Sequence, residues 1–328
     1  MIVALAGGVG GAKLADGLYA ELPANSLTVV VNTADDFTLH GLHISPDLDT
    51  VMYTLAGVAN PETGWGVDKD TFSGLDMLGR YGAPDWFRLG DRDLVTHILR
   101  STALREGSSL TEVTARLGQA LGIQAALLPM CDEQVQTIVQ TPDGELGFQE
   151  YFVHRQCRDQ VLGVHFEGLE QASLSDAVRS AISQCEAVII CPSNPIVSVG
   201  PILGVPGLRE CLLNARVPVI AVSPIIAGQA VKGPAARMLE GLGKQVSVVG
   251  VAAEYKELAP VLVIDEDDRD LAGEVAAAGS TPVVAPILMK TPEDRRSLAR
   301  RVLDIVREVR INNGMSVEDQ DSRAEMHA

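Results

Sequence analysis

Basic residues are scarce in this sequence. Its 328 residues include 26 Lys and Arg against 43 Asp and Glu, which gives a formal net charge of −17. A field of that sign repels phosphate backbones and anionic lipids, so we exclude general binding to nucleic acids or to membrane surfaces. An anionic small molecule would need local compensation from a metal ion, a helix N-terminus or a few placed basic side chains.

Cysteine and long hydrophobic runs are also sparse. The five cysteines are odd in number and widely spaced, and no CxxC or Cys/His cluster suggests a zinc site. This pattern predicts reduced thiols in a cytoplasmic protein. Glycines interrupt the N-terminal apolar run after six residues, which is too short for a signal peptide or a membrane span. We therefore expect a cytoplasmic location.

Short β-branched apolar runs that alternate with helical patterns are abundant. Continuous runs of this kind are typical of strands buried on both faces, so the sequence predicts an α/β fold with a mostly parallel sheet flanked by helices. We expect one domain over residues 1–310, a hairpin and helical segment inserted around residues 60–168, and a disordered tail over residues 311–328. The strands are predicted in IVALAGG, LTVVVNT, AVIICPSN, VPVIAVSPI, VSVVGVA and VLVID.

A glycine-rich stretch, GGVGGAK, follows the first predicted strand and precedes a helical pattern. Backbone N–H groups at such a turn can surround phosphate oxygens, and the helix N-terminus adds partial positive charge. We predict that Gly8, Gly10, Gly11 and Lys13 bind phosphate, and that a Cβ on any of the three glycines obstructs its approach. The spacing fits neither G-x-x-x-x-G-K-[ST] nor G-x-G-x-x-G, and a tight turn without a ligand is the alternative.

Four aspartates, Asp35, Asp36, Asp47 and Asp49, follow the second predicted strand within fifteen residues. Ligands of open α/β sheets bind at the carboxyl ends of strands, and carboxylates there suit Mg²⁺ together with substrate phosphates. The alternative is that Asp47 or Asp49 caps the next helix and that the first two aspartates lie in a solvated turn. A cation between the aspartates and the glycine loop would let this acidic protein hold a diphosphate.

Other polar residues lie in predicted loops and helix starts. Arg92 lies in the first turn of a predicted helix, where a cation opposes the helix dipole, and Arg88 precedes it, so both are candidates for an anionic or aromatic ligand. Ser193 and Asn194 follow a buried strand and can hydrogen-bond a base, a ribose or a phosphate, although a plain turn uses the same residues. We interpret His97 as a packed histidine of an apolar helix face.

Together, these stretches resemble the 2-phospho-L-lactate transferase family of deazaflavin coenzyme F420 biosynthesis. The resemblance spans Met1 to about Met289. It implies a Rossmann-like α/β transferase, Mg²⁺-dependent and often dimeric, that moves a phospho-acid group from a guanosine diphosphate-linked donor to the ribityl hydroxyl of 7,8-didemethyl-8-hydroxy-5-deazariboflavin and releases GMP. The stretches that carry it are GGVGGAKLADGL, VVVNTADD, ISPDLDTVMYTL, GWGVDKDTF, LGDRDLVTHILR, LPMCDEQVQT, FQEYFV, PSNPIVSVGPIL and VSPIIAGQAVKGPAA.

The resemblance also implies site residues. Asp49 and Arg88 match the family's deazaflavin-site residues, and Asp35 and Asp36 match its metal-binding acids. We therefore expect Asp35, Asp36 and Asp49 to bind Mg²⁺, Asp35 and Asp49 to take part in catalysis, and the chain to form a homodimer. The transferred acid, phospholactyl, phosphoenolpyruvyl or phosphoglyceryl, is left open.

Two other functions are possible on a sheet of this type. One group of the same superfamily binds UDP-sugars and regulates carbon flow and cell-wall synthesis, and it shares the glycine loop and the Asn-x-x-Asp-Asp stretch. The stretches LGDRDL, FQEYF and SPDLDT favour the transferase instead. An oxidoreductase is disfavoured because the dinucleotide fingerprint fails.

Overall fold

Strands and helices alternate along residues 1–312, which are the residues that this computed structural model describes. The strands are β1 (Ile2–Ala6), β2 (Leu27–Val31), β3 (Phe37–Leu39), β4 (Leu42–Ile44), β5 (Ala126–Pro129), β6 (Gln136–Thr141), β7 (Gly144–Gly147), β8 (Gly163–Glu167), β9 (Ala187–Ile190), β10 (Val219–Val222), β11 (Ile225–Ile226), β12 (Gln229–Ala230), β13 (Val261–Ile264) and β14 (Thr281–Val284). The helices are α1 (Gly8–Glu21), α2 (Pro46–Leu55), α3 (Ser73–Arg80), α4 (Asp91–Arg105), α5 (Leu110–Ala120), α6 (Asp176–Gln184), α7 (Val199–Gly204), α8 (Leu208–Ala215), α9 (Ala235–Gly241), α10 (Val248–Tyr255), α11 (Ala272–Ala278) and α12 (Pro292–Asn312). Shorter helical turns cover Glu150–His154, Leu169–Gln171 and Glu266–Leu271.

Seven strands form one parallel sheet in the order β14-β13-β10-β9-β1-β2-β5, which confirms the predicted α/β fold class. The chain adds strands toward one edge from β1 through β2 to β5, and toward the other edge from β9 to β14. The order therefore reverses between β1 and β9, where Ile2 pairs with Ala187. In open α/β sheets, ligands bind in the crevice at such a switch point.

The sheet is buried on both faces, as its continuous apolar runs predict. In β1, Val3 and Leu5 belong to one hydrophobic core and Ile2, Ala4 and Ala6 to another, because successive side chains of a strand point to opposite faces. Apolar side chains of α1, α2 and α12 close the second core. All five cysteines are unpaired, in agreement with the predicted free thiols.

Serine side chains cap the starts of two helices. At the start of α5, the Ser109 hydroxyl accepts from the Glu112 N–H at 3.1 Å, and the Glu112 carboxylate accepts from the Ser109 N–H at 2.8 Å. This reciprocal pair satisfies two N–H groups that a helix start leaves without partners. Ser175 caps α6 by accepting from the Val178 N–H. No helix in the described part of the chain is long and apolar enough to cross a membrane.

The prediction of a strand in VSVVGVA is wrong. Most of this stretch belongs to α10, which begins after Ser247. The Ser247 hydroxyl accepts from the N–H groups of Val249 and Gly250 at 3.2 and 3.3 Å and so caps the helix. Side chains such as Val251 and Tyr255 are buried, and the sequence therefore lacks a regular polar face. A short apolar run cannot be assigned to strand or helix by its periodicity alone.

The range predicted as one inserted segment, around residues 60–168, contributes to more than one sheet. Strand β5 lies inside this range and pairs with β2 in the central sheet. The predicted hairpin is β6 and β7 of a three-stranded sheet that β8 completes. Its second strand ends at Gly147, because the following residues form the helical turn Glu150–His154 around the buried Tyr151.

The tail predicted to be disordered, residues 311–328, begins inside the last helix. Residues 311 and 312 complete α12. The remainder of the predicted tail, residues 313–328, lies outside the described residues.

Candidate active site

A cavity of about 540 Å³ lies at the switch point of the sheet. It is lined by loops that follow β1, β2, β9 and β10, by α2 and α4, and by aromatic side chains of the inserted segment. Three of the candidate residues, Gly11, Asp36 and Arg92, lie outside this lining. The predicted residues that line it are Gly8, Gly10, Lys13, Asp35, Asp49, Arg88, Ser193 and Asn194.

Helix α1 begins at the cavity wall. Gly7 is its N-cap residue and has no side chain to cap the helix, and the first turn has no acidic residue. N–H groups in a first helical turn lack intrahelical partners, so they can bind an anion. Ser193 ties this loop to the end of β9, because its hydroxyl accepts from the Gly7 N–H at 3.0 Å and donates to the Gly7 carbonyl at 2.8 Å. Gly8 has φ of +62°, a conformation that favours glycine.

Gly10 and Gly11 allow close packing of the loop. A Cβ on Gly10 would lie 2.3 Å from the Pro192 carbonyl oxygen, and a Cβ on Gly11 would lie 2.5 Å from the Ser193 hydroxyl. The added carbon would therefore meet the protein itself before it met a phosphate. A substitution at these two positions is therefore expected to strain the fold, and the predicted obstruction of a phosphate stays a prediction.

We expect Gly10→Ala to lower the melting temperature of the ligand-free protein, because the backbone at Pro192 cannot move aside as a flexible side chain would. Overpacking of this kind costs typically about 1–3 kcal/mol. Gly273→Ala is the matched control, since Gly273 is also helical and has nothing within 4 Å of its Cβ position. That control should stabilise by about 0.5–1 kcal/mol. Calorimetric melting of both variants tests this, and an unchanged Gly10→Ala protein would contradict it.

Asp35 and Asp47 form a pair of buried carboxylates on the cavity wall. Burial and the nearby charge of Asp47 raise the pKa of Asp35 well above its usual value, and burial raises the pKa of Asp47 to about 6. Asp47 accepts from Asn32 Nδ2 at 3.0 Å and from the Gly8 N–H. Oδ1 of Asp35 is buried without a hydrogen-bond partner. No salt bridge within residues 1–312 reaches either carboxylate, so the pair fits a divalent cation.

We expect the ligand-free protein to gain stability through Asp47 as the pH falls from about 6 toward its ordinary pKa of 3.8. In that window the folded state binds more protons than the unfolded state, so the free energy of unfolding rises as the pH falls. Asp47→Asn removes the titrating group and should remove this gain. Melting curves of both proteins from pH 7 to pH 4 test it, and parallel pH profiles would contradict it.

Asp36 is held away from the cavity. His43 Nε2 lies 2.9 Å from its Oδ2, and the Ser45 hydroxyl donates to the same oxygen at 2.7 Å. Burial raises the pKa of Asp36, and these two partners act in the opposite direction. The structure therefore does not bring Asp36 to the cavity wall with Asp35. Asp47, for which helix capping was the alternative, lies there instead.

Asp49 lines the cavity and is bound by side chains of α4. Arg100 Nη1 donates to Asp49 Oδ2 at 3.0 Å, and Nη2 donates to Oδ1. His97 Nδ1 lies 3.6 Å from the same Oδ2, and its Nε2 lies 3.3 Å from Asp93 Oδ1. Ligand atoms of Asp49, Asp93 and His97 lie within 4.8 Å of one another. The guanidinium on Asp49 opposes a second cation there, so this group fits a metal less well than Asp35 and Asp47 do.

Three donors complete the polar wall. Lys13 Nζ donates to the Met289 carbonyl at 2.8 Å, and burial lowers its pKa. Nδ2 of Asn194 is buried without a partner and is free to donate to a ligand. The guanidinium carbon of Arg88 lies 4.4 Å from the centre of the Phe72 ring. All three predicted residues line the cavity.

Aromatic side chains form another part of the lining, which is called the aromatic wall here. Aromatic residues make up only 4% of the chain, yet both tryptophans line this cavity. Trp86 stacks on His154 with ring centres 5.2 Å apart, and Phe148 stacks on Phe152 at 5.5 Å. Such a surface suits a flat conjugated ring system.

The sequence analysis predicts no site role for the α4 side chains around Asp49. Asp93, His97 and Arg100 are spaced by four and then three residues, which puts them on one helix face. That spacing was the available signal. Interpreting His97 as a packed histidine is incomplete, because both of its ring nitrogens face carboxylates. Arg92 does not line the cavity, and its Nη1 donates to the Asp68 carbonyl.

A family model described as 2-phospho-L-lactate transferase CofD matches residues 2–299, which include the whole cavity wall. The chain belongs to this family. A 2-phospho-L-lactate transferase of Methanosarcina acetivorans is 43% identical over 304 residues, which cover 93% of this chain and 98% of that protein. A phosphoenolpyruvate transferase of Streptomyces griseus is 41% identical over 315 residues, which cover 94% of this chain and 99% of that protein.

A solved structure shares the fold of this CofD family member. It is a UPF0052 family protein from Bacillus halodurans, with a TM-score of 0.64 and 14% identity, and the match covers 92% of this chain and 98% of that one. At this identity the likeness shows the fold alone. It supports the α/β architecture that places the cavity at the switch point.

Proposed function

We propose that this chain transfers a phospho-acid group from a guanosine diphosphate-linked donor to 7,8-didemethyl-8-hydroxy-5-deazariboflavin and releases GMP, a step of coenzyme F420 biosynthesis. Family membership and the names of the relatives support the reaction class. One observation carries the proposal: a single cavity joins a glycine-rich helix start and buried carboxylates to aromatic side chains. The first surface suits a diphosphate and the second a deazaflavin ring.

The donor's diphosphate is assigned to the start of α1. Gly8, Gly10, Lys13 and Asn194 all line the cavity, and Nδ2 of Asn194 is buried without a partner. They supply the local compensation that a protein of net charge −17 needs to bind an anion. A hydrogen bond to a charged group contributes about 1.5–3 kcal/mol.

Asp35 and Asp47 are assigned as the Mg²⁺ ligands. Mg²⁺ bound there would neutralise part of the diphosphate charge. This changes the predicted metal set, because Asp36 lies outside the cavity and Asp49 is paired with Arg100. The proposed role of Asp35 in catalysis is that of a ligand, and Asp49 belongs to the acceptor side.

The reaction is a displacement at phosphorus. The acceptor's ribityl hydroxyl oxygen attacks the phosphorus that carries the acid, and a new P–O bond forms. The bond from this phosphorus to the bridging oxygen of the diphosphate breaks, and GMP leaves with that oxygen. Asp49 orients the hydroxyl and accepts its proton. Such a reaction requires positioning and charge neutralisation more than covalent chemistry from the protein.

Arg88→Ala should weaken deazaflavin binding about ten-fold, because a guanidinium beside an aromatic wall contributes roughly 1–2 kcal/mol through stacking or hydrogen bonds. Binding of GDP should be unchanged, since Arg88 is assigned to the acceptor. Fluorescence titration of the deazaflavin and calorimetry of GDP measure the two affinities. Arg92→Ala is the matched control, because Arg92 follows closely in the chain but does not line the cavity. Equal loss of both ligands in Arg88→Ala would contradict the assignment.

The regulatory alternative, a UDP-sugar-binding protein, is not favoured by the transferase names of the relatives. A thermal-shift experiment with GDP, UDP-N-acetylglucosamine and NAD, each with Mg²⁺, separates the function classes, because a ligand that binds the folded state raises the melting temperature. We expect the largest rise with GDP. A larger rise with UDP-N-acetylglucosamine would support the regulator instead.

Two acids appear in the names of the relatives, 2-phospho-L-lactate and phosphoenolpyruvate, at similar identity to this chain. The proposal therefore names the donor class, a guanosine diphosphate-linked phospho-acid, and not one acid. The homodimer and the cytoplasmic location stay predictions.

A further inference from the structure

We propose that Arg100 and His97 are positioning residues that hold the Asp49 carboxylate toward the acceptor hydroxyl, and that Asp93 and Tyr53 fix His97 in turn. This inference rests on the proposed function, because it assigns these side chains to the acceptor half of that reaction. It concerns four residues for which neither the sequence motifs nor the proposed chemistry provides a role.

Arg100 binds Asp49 with a fork of two hydrogen bonds. Its side chain is only 1% exposed, and Nη1 and Nη2 donate to the two different oxygens of Asp49. A planar fork of this kind sets the plane of the carboxylate as well as its position. Each carboxylate oxygen can accept two hydrogen bonds, so the fork leaves acceptor capacity on the side that lines the cavity.

His97 extends this contact to a second carboxylate. Its side chain is 2% exposed, with Nδ1 3.6 Å from Asp49 Oδ2 and 3.4 Å from Arg100 Nη1, and with Nε2 3.3 Å from Asp93 Oδ1. The contacts with the two carboxylates are charge contacts of a protonated imidazole rather than hydrogen bonds, since Nε2 has no hydrogen-bond partner. The Tyr53 hydroxyl donates to the same Asp93 oxygen at 2.8 Å. Burial and the charges of Asp49 and Asp93 raise the pKa of Tyr53 far above its usual range, so this hydroxyl keeps its proton.

The location of these side chains favours a role in the reaction over one in packing. Asp49, Tyr53, Asp93 and His97 all line the cavity, although they are deeply buried. Replacing buried ion pairs by apolar residues is often neutral or stabilising, so a charged cluster is a poor way to hold α2 against α4. Its effect here is to present one carboxylate in one orientation to the cavity.

A double-mutant cycle tests whether His97 acts through Asp49. We expect Asp49→Asn to lower kcat about 100-fold and His97→Asn to lower it about ten-fold, which are ordinary losses for a group that orients a proton acceptor and for its support. If the effect of His97 passes through Asp49, the double variant should match Asp49→Asn alone. Multiplied losses, about 1000-fold in the double variant, would overturn the proposal, because independent sites add in free energy.

Arg100→Lys provides a second test, because it keeps the charge and loses the fork. We expect a lower kcat with an unchanged KM for the guanosine diphosphate-linked donor. Arg105→Lys on the same helix is the matched control, since Arg105 does not line the cavity and its Nε donates to the Ser101 carbonyl. Melting temperatures confirm that each variant is folded. A folded Arg100→Lys protein with the parental kcat would overturn the positioning role of Arg100.

The four proteins of the cycle are also titrated with the deazaflavin alone, which separates this inference from the proposed function. If the parent protein does not turn over but the losses of deazaflavin affinity in the cycle are non-additive, the proposed function is contradicted. The positioning of Asp49 is then still supported. Additive losses of affinity would overturn the positioning itself.

Discussion

Asp35→Asn and Asp47→Asn should each lower kcat by about 10³ and raise the Mg²⁺ concentration needed for half-maximal rate. Each substitution keeps the shape of the side chain and removes a negative charge from the only carboxylate pair that lines the cavity within residues 1–312 without a salt bridge. Losing one preorganised electrostatic contribution in an active site typically lowers the rate about 10²–10³-fold. Steady-state rates over a Mg²⁺ titration measure both effects.

Two control variants replace aspartates that do not line the cavity. Asp143→Asn, in the exposed turn between β6 and β7, should leave the kinetics unchanged. Asp36→Asn should lower the rate less than either cavity variant, because Asp36 is bound by His43 and Ser45 away from the cavity. Equal losses at Asp35, Asp36 and Asp47 with an unchanged Mg²⁺ requirement would contradict the assignment of the pair.

Chelation of divalent cations should abolish turnover, and turnover should return only when Mg²⁺ is added back. The reason is electrostatic: a diphosphate and two buried carboxylates share one cavity in a protein of net charge −17. GDP should also lose most of its effect on the melting temperature in excess EDTA, which provides a readout besides activity. Full turnover in excess EDTA would contradict the metal requirement.

The fold could be predicted largely from local patterns. Continuous apolar runs such as IVALAGG and LTVVVNT identified strands of the central sheet because both faces of that sheet are buried. The same pattern was misleading for VSVVGVA, since α10 is also buried on most of its surface. The edge strands β5 and β14 were not among the predicted strands. Each is four residues long and is defined by its pairing with the neighbouring strand of the sheet.

The location of the site could be predicted better than its internal contacts. A glycine loop after β1 and polar loops after β2 and β9 converge because parallel strands end at one edge. The contact of Arg100 with Asp49 joins residues 51 positions apart, and no local spacing indicates it. Capping and ligand roles for Asp47 share the same sequence pattern, and only the fold shows that Asp47 is buried beside Asp35.

The most direct test of the proposed reaction is mass spectrometry of the products formed from the deazaflavin, Mg²⁺ and competing guanosine diphosphate-linked phospholactyl, phosphoenolpyruvyl and phosphoglyceryl donors. We predict a deazaflavin product whose mass increases by one phospho-acid group, formed together with an equal amount of GMP. The added mass identifies which acid this chain prefers. Unmodified deazaflavin with every donor, from protein that is folded and binds Mg²⁺, would contradict the proposed transfer.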